Sequence, residues 1–199
     1  MSGLLMETGV GHEKKRLHTQ RYFEEVVWNH PEVSANIRPL LRVSRESILQ
    51  CRKTEYALRK SLQRDPLLAE RLQRLKTVPG VGPITALSWA LEIGDAARFQ
   101  SVKQAISYCG LCGAEKSSAD KVMRTPLSKQ RNKHLQRVLV EAAKVAPPEL
   151  ALLHERELQK GNANRATLAV ARKMVSYLLA VDRRGTDFIS SEQRSTAAA

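Results

Sequence analysis

Two adjacent serines, Ser117 and Ser118, stand among Lys116, Lys121 and Arg124. A serine hydroxyl is a poor nucleophile unless its proton is removed or the charge developing on the attacked group is stabilised. Lys121, Arg124, Lys129 and Lys133 would give that stabilisation to a phosphoryl group. From spacing alone the plainer reading, a soluble polar loop, prevails. Glu115 and Asp120 are the acids of this stretch, and they do not make the clustered carboxylates that two-metal nucleases need.

A second group is Val78-Pro79-Gly80-Val81-Gly82-Pro83. Gly80 and Gly82 permit positive φ and close backbone approach, and the N–H groups opening the next helix can hold an anion. This is the helix-hairpin-helix pattern, which grips a DNA phosphate without reading bases; an ordinary connector between helices is the competing explanation. A third group runs from Ser128 to Leu135. Its Lys129, Arg131 and Lys133, with Arg137 beyond, are expected at the start of an amphipathic helix, where charge and helix dipole both favour phosphate. A solvated helix face is the alternative there.

Cys109 and Cys112 have the spacing of a redox pair or half a zinc site. No second Cys pair or close His pair completes a tetrahedral shell, so the pair reads as two small thiols bracketing a helix end. No metal site is expected.

These residues need elements to position them. Residues 1–38 form a poorly defined segment with one short helix around Tyr22–Trp28. A polar helical rod is expected over 39–65, with Leu41, Ile48, Leu58 and Leu62 as a narrow apolar stripe that Ser44 and Glu55 interrupt. Such a stripe calls for a partner helix, as in a coiled coil or an intermolecular hairpin. Asp65-Pro66 then caps a new helix, and helical spacing recurs through 66–183: Leu68, Leu72 and Leu75; Ile84, Leu87, Ala90 and Leu91; Leu135, Val138, Leu139 and Ala142; Leu168, Val170, Met174, Leu178 and Val181. Gly113 to Thr125 is read as irregular, and 184–199 as a disordered tail. The expected fold is all-α, a rod followed by a compact multi-helix domain.

The chain has 199 residues, 33 Lys+Arg against 20 Asp+Glu, a net charge of +13 and a pI near 10.1. That excess points to a polyanionic partner, DNA first of all. Aromatics make up 5%, too few for a sheet on which single-stranded bases stack. Neither a secretion signal nor a membrane span is expected, and three cysteines without an export signal fit a cytoplasmic protein with no membrane partner.

Together, Val78–Pro83, Gly94-Asp95 with Arg98-Phe99, Tyr108–Leu111, Ser117-Ser118, Ser128-Lys129 with Asn132 and Leu135, Ala142-Ala143 and Ala169–Lys173 resemble the C-terminal domain of insertion-sequence 110 family transposases. These are DEDD transposases, also called bridge-RNA-guided recombinases. The resemblance covers about Leu40 to Arg183, with the rod as that family's coiled coil. It implies DNA strand exchange in which a serine attacks a DNA phosphate; the matching residue is Ser118, with Ser117 as fallback. Lys121, Arg124, Lys129 and Asn132 would position the phosphate.

The resemblance further implies that magnesium belongs to a ribonuclease H-like domain carrying four acids. The residues ahead of Pro39 are too few for such a domain, so no cofactor is expected in this chain. Ala119, Gly113, Arg131 and Gln136 depart from the family's usual Gly, Pro, Gly and Arg. The expected protein is a truncated transposase, inactive by itself, that binds the backbone of DNA or of a structured guide RNA and forms homo-oligomers or mixed oligomers with a full-length relative. The alternative is a non-catalytic nucleic-acid-binding remnant that inhibits an intact transposase.

Overall fold

The computed structural model describes residues 1–113, 115–118, 121–124, 127, 131–145 and 147–190, the segments 115–118 and 121–124 by their backbone alone. Contacts divide the chain into two units, 1–61 and 62–199. The described residues are mostly helical, as the all-α expectation requires, with one two-stranded hairpin added.

The first unit contains α1 (Ser2–Glu7), α2 (Gln20–Tyr22), a π-helical turn (Phe23–Trp28) and most of α3 (Ile37–Arg64). Its start is more ordered than the sequence suggests. Leu5, Val10, Leu17, Tyr22, Phe23, Val27, Val33 and Leu41 close a small core, although their irregular spacing hides it from any periodic pattern. Arginine guanidinium groups cover the aromatic faces: Arg16 lies 4.8 Å from the Tyr22 ring centre, Arg42 4.3 Å from Trp28 and Arg45 5.0 Å from Phe23. Along α3 only Leu41 of the expected stripe is buried in this unit. Ile48 and Leu58 are exposed, as are Val43 and Tyr56.

The second unit is built on α4 (Pro66–Lys76), α5 (Pro83–Ile93), a 3-10 turn (Ala96–Arg98), α6 (Val102–Tyr108), α7 (Lys133–Lys144), α8 (Pro148–Gln159) and α9 (Ala163–Arg184). Side-chain caps fix the starts. The Asp65 carboxylate accepts from the Leu67 N–H at 2.8 Å, Ser101 Oγ from Gln104 N–H at 3.3 Å and Asn162 Oδ1 from Arg165 N–H at 3.0 Å. Helix α9 is the axis of the core. Ala166, Val170, Ala171, Met174, Val175, Leu178, Leu179 and Val181 are all buried on it.

Three sequence expectations change here. Helix α5 turns a different face inward: Ala86, Leu87, Trp89, Ala90 and Ile93 are buried, while Ile84 and Leu91 are half exposed. The large Trp89 ring outweighs Ile84 in setting the buried side. The stretch read as irregular holds an antiparallel hairpin of β1 (Glu115–Ser118) and β2 (Lys121–Arg124), whose strands are too short and too polar to show alternation. The expected disordered tail starts too early. Gly185 ends α9 in the left-handed region, the Phe188 N–H donates to Thr77 Oγ1 at 2.7 Å, and the Phe188 ring sits 4.8 Å from that of Tyr177. The tail beyond residue 190 lies outside the described residues.

The polar centre of this unit is the carboxylate of Asp182 on α9, with only 4% of the side chain exposed. Arg71 on α4 donates to both its oxygens at 2.7 Å, and Trp89 Nε1 on α5 donates to Oδ2 at 2.8 Å. Arg71 also donates to the Gly94 carbonyl at 2.6 Å. A buried charge held this way is costly to disturb, since removing one partner strands the others. Asp182→Ala should therefore cost about 3 kcal/mol, the low end for a buried pair because Arg71 keeps 23% of its side chain exposed. The measurement is a urea melt with a lower midpoint and unchanged slope; a loss below about 1 kcal/mol would show the contact to be incidental.

Candidate nucleic-acid interface

The turn Thr77–Gly82 joins α4 to α5 as the glycine pattern predicts, but its two glycines do different jobs. Gly80 has φ +79° and lies under Met174 and Pro147, so that a Cβ there would meet both side chains at 3.4 Å. Gly82 has φ −85°, open to any residue, and a Cβ there would meet nothing. It is the residue before α5, whose start has no side-chain cap and begins with Pro83. Unprotected N–H groups at a helix start, on an 11-residue helix, are what an anion could meet.

The second candidate surface is the hairpin and its feet. In register, Ser118 is opposite Lys121 and Ser117 opposite Val122, with Lys116 opposite Met123 and Glu115 opposite Arg124. The chain leaves the core at Gly110-Leu111 and returns at Asn132, and both ends are tied down. Gln136 Nε2 on α7 donates to the Gly110 carbonyl at 2.6 Å, and Arg172 Nε on α9 donates to the Leu111 carbonyl at 2.7 Å. The Asn132 N–H donates to the Tyr108 carbonyl at 3.1 Å. Gly110, with φ +71°, is needed for this closure: a Cβ would lie 2.5 Å from Cβ of Arg131.

Asn132 is a structural cap. Its Oδ1 accepts from the N–H groups of His134 and Leu135 at 3.0 Å each, and its Nδ2 donates to Glu92 Oε2 on α5 at 2.6 Å. Helix α7 thus starts at Lys133, later than the expected Ser128, because the Asn132 side chain caps it there. Lys133 and Arg137 on α7 are exposed, Arg131 is half-buried beside Gly110, and Ser128, Lys129 and Gln130 lie outside the described residues. The side chains of Ser117, Ser118, Lys121 and Arg124 are likewise outside the description, which fixes their backbone register alone.

The two surfaces sit at opposite ends of α5. Gly82 precedes its first residue and Glu92, the partner of Asn132, is its tenth, a separation of roughly 14 Å along the axis at 1.5 Å per residue. Helix α7 runs back beside it, beginning at Glu92 and leading to Pro147 against Gly80. Sequence reasoning missed Glu92 and Arg172 as supports of the hairpin, since both act through long-range hydrogen bonds that no spacing reveals.

Cys109 is fully buried, and burial pushes its thiol up to about 12 against a weaker opposing pull from Arg98. It stays protonated at neutral pH, which suits neither a redox pair nor a metal ligand. Among the described residues no three His, Cys, Asp or Glu side chains gather at a point that would hold a metal ion. No helix among them is long and apolar enough to cross a membrane.

Residues 72–151 match a family model of transposases. That model is the transposase IS116/IS110/IS902 family, and its match spans 80 of the 199 residues. The chain is 31% identical over 126 residues to the transposase for insertion sequence element IS1328 of Yersinia enterocolitica, covering 60% of this chain and 38% of that protein. It is 27% identical over 193 residues to a probable family 20 transposase of Pseudomonas aeruginosa, covering 92% of this chain and 57% of that one. A pilin gene-inverting protein of Moraxella bovis is 29% identical over 129 residues, 62% of this chain and 40% of that one. The chain spans about two fifths to just over half the length of these three relatives.

The glycine geometry gives a direct check. Gly80→Ala forces a non-glycine residue into the left-handed region and should cost about 1–2 kcal/mol in a denaturant melt, whereas Gly82→Ala should leave stability within about 0.5 kcal/mol. Equal losses would contradict the assignment. In a thiol titration of the folded protein near pH 8, exposed Cys51 should react at once and Cys109 only on unfolding.

Proposed function

We propose that this chain carries the serine-bearing, DNA-gripping part of an insertion-sequence transposase, with Ser118 as the nucleophile. The observation that carries the reading is the hairpin register, which sets Ser118 opposite Lys121 on a hairpin whose feet are both hydrogen-bonded to the helical core. Directly opposed residues have Cβ atoms about 5 Å apart, close enough for an ammonium group to stabilise charge on a phosphate attacked by the serine. Ser117, opposite Val122, is the fallback. In the step itself the Ser118 oxygen bonds to phosphorus while the bond to one sugar oxygen breaks. The hydroxyl proton passes to a base and the released sugar oxygen takes up a proton.

Lys121, Arg124, Lys129, Arg131, Lys133 and Arg137 supply the charge that holds the backbone of DNA, or of a structured guide RNA, around that phosphate. Asn132 acts indirectly, by starting α7 where Lys133 and Arg137 are presented. Gly80 and Gly82 shape a second grip at the far end of α5. Among the described residues no group of three His, Cys, Asp or Glu side chains would hold magnesium. The carboxylates that the family resemblance implies would come from a longer relative in a mixed assembly, within the cytoplasm where the element's DNA lies. Exposed Ile48 and Leu58 on α3 favour a second reading, in which the chain pairs with an intact transposase through the rod and inhibits it.

A covalent trap tests the first reading. The chain is incubated with element ends, with and without a full-length relative and its guide RNA. A denaturation-resistant protein–DNA adduct that Ser118→Ala abolishes is expected when the relative is present; no adduct under either condition, or one that survives the substitution, overturns Ser118 as nucleophile. Backbone binding has its own measure. Replacing Lys133 and Arg137 by Gln should reduce the slope of log affinity against log salt by about two, close to one per lost phosphate contact.

A further inference from the structure

Beside the hairpin's feet lies an open cleft of about 570 Å3, lined by Gln104, Ser107 and Tyr108 of α6 and by Arg131 and Asn132. The three α6 residues are spaced i, i+3, i+4, so one edge of the helix forms one wall. The ring of Tyr108 is fixed from three sides. Its hydroxyl donates to the Glu92 carbonyl at 3.0 Å, Phe99 meets it edge-on at 5.6 Å, and the Arg98 guanidinium lies 4.4 Å from its centre. Gln104 is also oriented, its Oε1 accepting from the Gln100 N–H at 2.7 Å.

We infer that this cleft receives the base of one unpaired nucleotide from the strand that the hairpin holds. The inference rests on the reading of this unit as a nucleic-acid-binding domain. The volume falls in the range of ligand pockets, roughly 300–1,000 Å3. Its chemistry suits a base: Tyr108 offers an aromatic ring in the lining, and Gln104 and Arg131 are of the side-chain types that meet base edges, while Asn132 is committed to α7 and Glu92. A ring already held in place loses little side-chain freedom when a base docks. The surroundings bring a strand to it. From Lys116 to Arg137 seven basic residues stand against one acid, Asp120, and Arg131 belongs both to this stretch and to the cleft. A paired base is buried in the stack, so the occupant is a nucleotide outside the duplex. This differs from the sheet of stacked bases that the low aromatic content argues against, because one pocket needs one ring.

The test compares the full chain binding three labelled oligonucleotides: a paired duplex, the same duplex with a single unpaired 2-aminopurine, and the ribonucleotide version of the second. Tighter binding of the unpaired forms, by about fivefold or more, with 2-aminopurine fluorescence quenched on binding, is the expected result. The deoxy and ribo arms identify the strand. Ser107→Trp, at an exposed position, should fill the cleft, and Gln104→Ala should remove a base contact. Each should erase most of the preference and leave paired-duplex affinity unchanged, and Ser107→Trp should also leave the thermal melt unchanged. Equal affinity for paired and unpaired forms, or variants that weaken both alike, overturns the pocket and leaves the backbone reading standing. Failure to bind any of the three oligonucleotides overturns both.

Discussion

Three helices of the second unit converge on one carboxylate. Asp182 takes two hydrogen bonds from Arg71 and one from Trp89, and Arg71 continues to the end of α5 at Gly94. Burying a charge is tolerable when its lone pairs are all answered, and three N–H donors from two helices answer most of them. The contact fixes the rotation of α5 about its axis, because Trp89 must face α9. Once that rotation is set, Glu92 points to the start of α7 and Gly80 lies against Met174, so the two candidate nucleic-acid surfaces inherit their placement from a contact that touches neither.

The matched family stretch, 72–151, is shorter than the folded unit that contains it. Helix α9 lies wholly beyond it, yet α9 provides the largest share of the buried core, the Asp182 carboxylate and the Arg172 hydrogen bond that holds one foot of the hairpin. The Pseudomonas aeruginosa relative aligned over 193 residues fits this picture, since that longer alignment takes in 92% of the chain.

Much of the helical frame is readable from local residues. Asp65-Pro66, Ser101 and the glycines at 80 and 94 mark their helix ends because caps and positive φ act within a few residues. The faces were harder. On α5 the apolar residues run nearly all the way round, so spacing alone does not select the side that holds Trp89. The candidate site is visible at the level of residue type alone, as the basic stretch, the serines and the glycine turn. The roles are not. Asn132 reads as a phosphate ligand until its side chain is seen to cap α7 and bond Glu92, and the small core around Leu5 and Val10 has no period to betray it. The bond to Glu92 spans 40 positions and the small core is irregularly packed, and neither leaves a local signature.

The pinned feet of the hairpin separate what the core must preserve from what it can let vary. With Leu111 and Asn132 held side by side by hydrogen bonds to Arg172 and Tyr108, the segment between them is a closed loop whose ends do not depend on its contents. Doubling the length of such a loop adds only about 0.6 kcal/mol of closure entropy. The helical body is therefore a socket, and a segment plugged into it can gain or lose residues at little entropic cost to the closure of its ends.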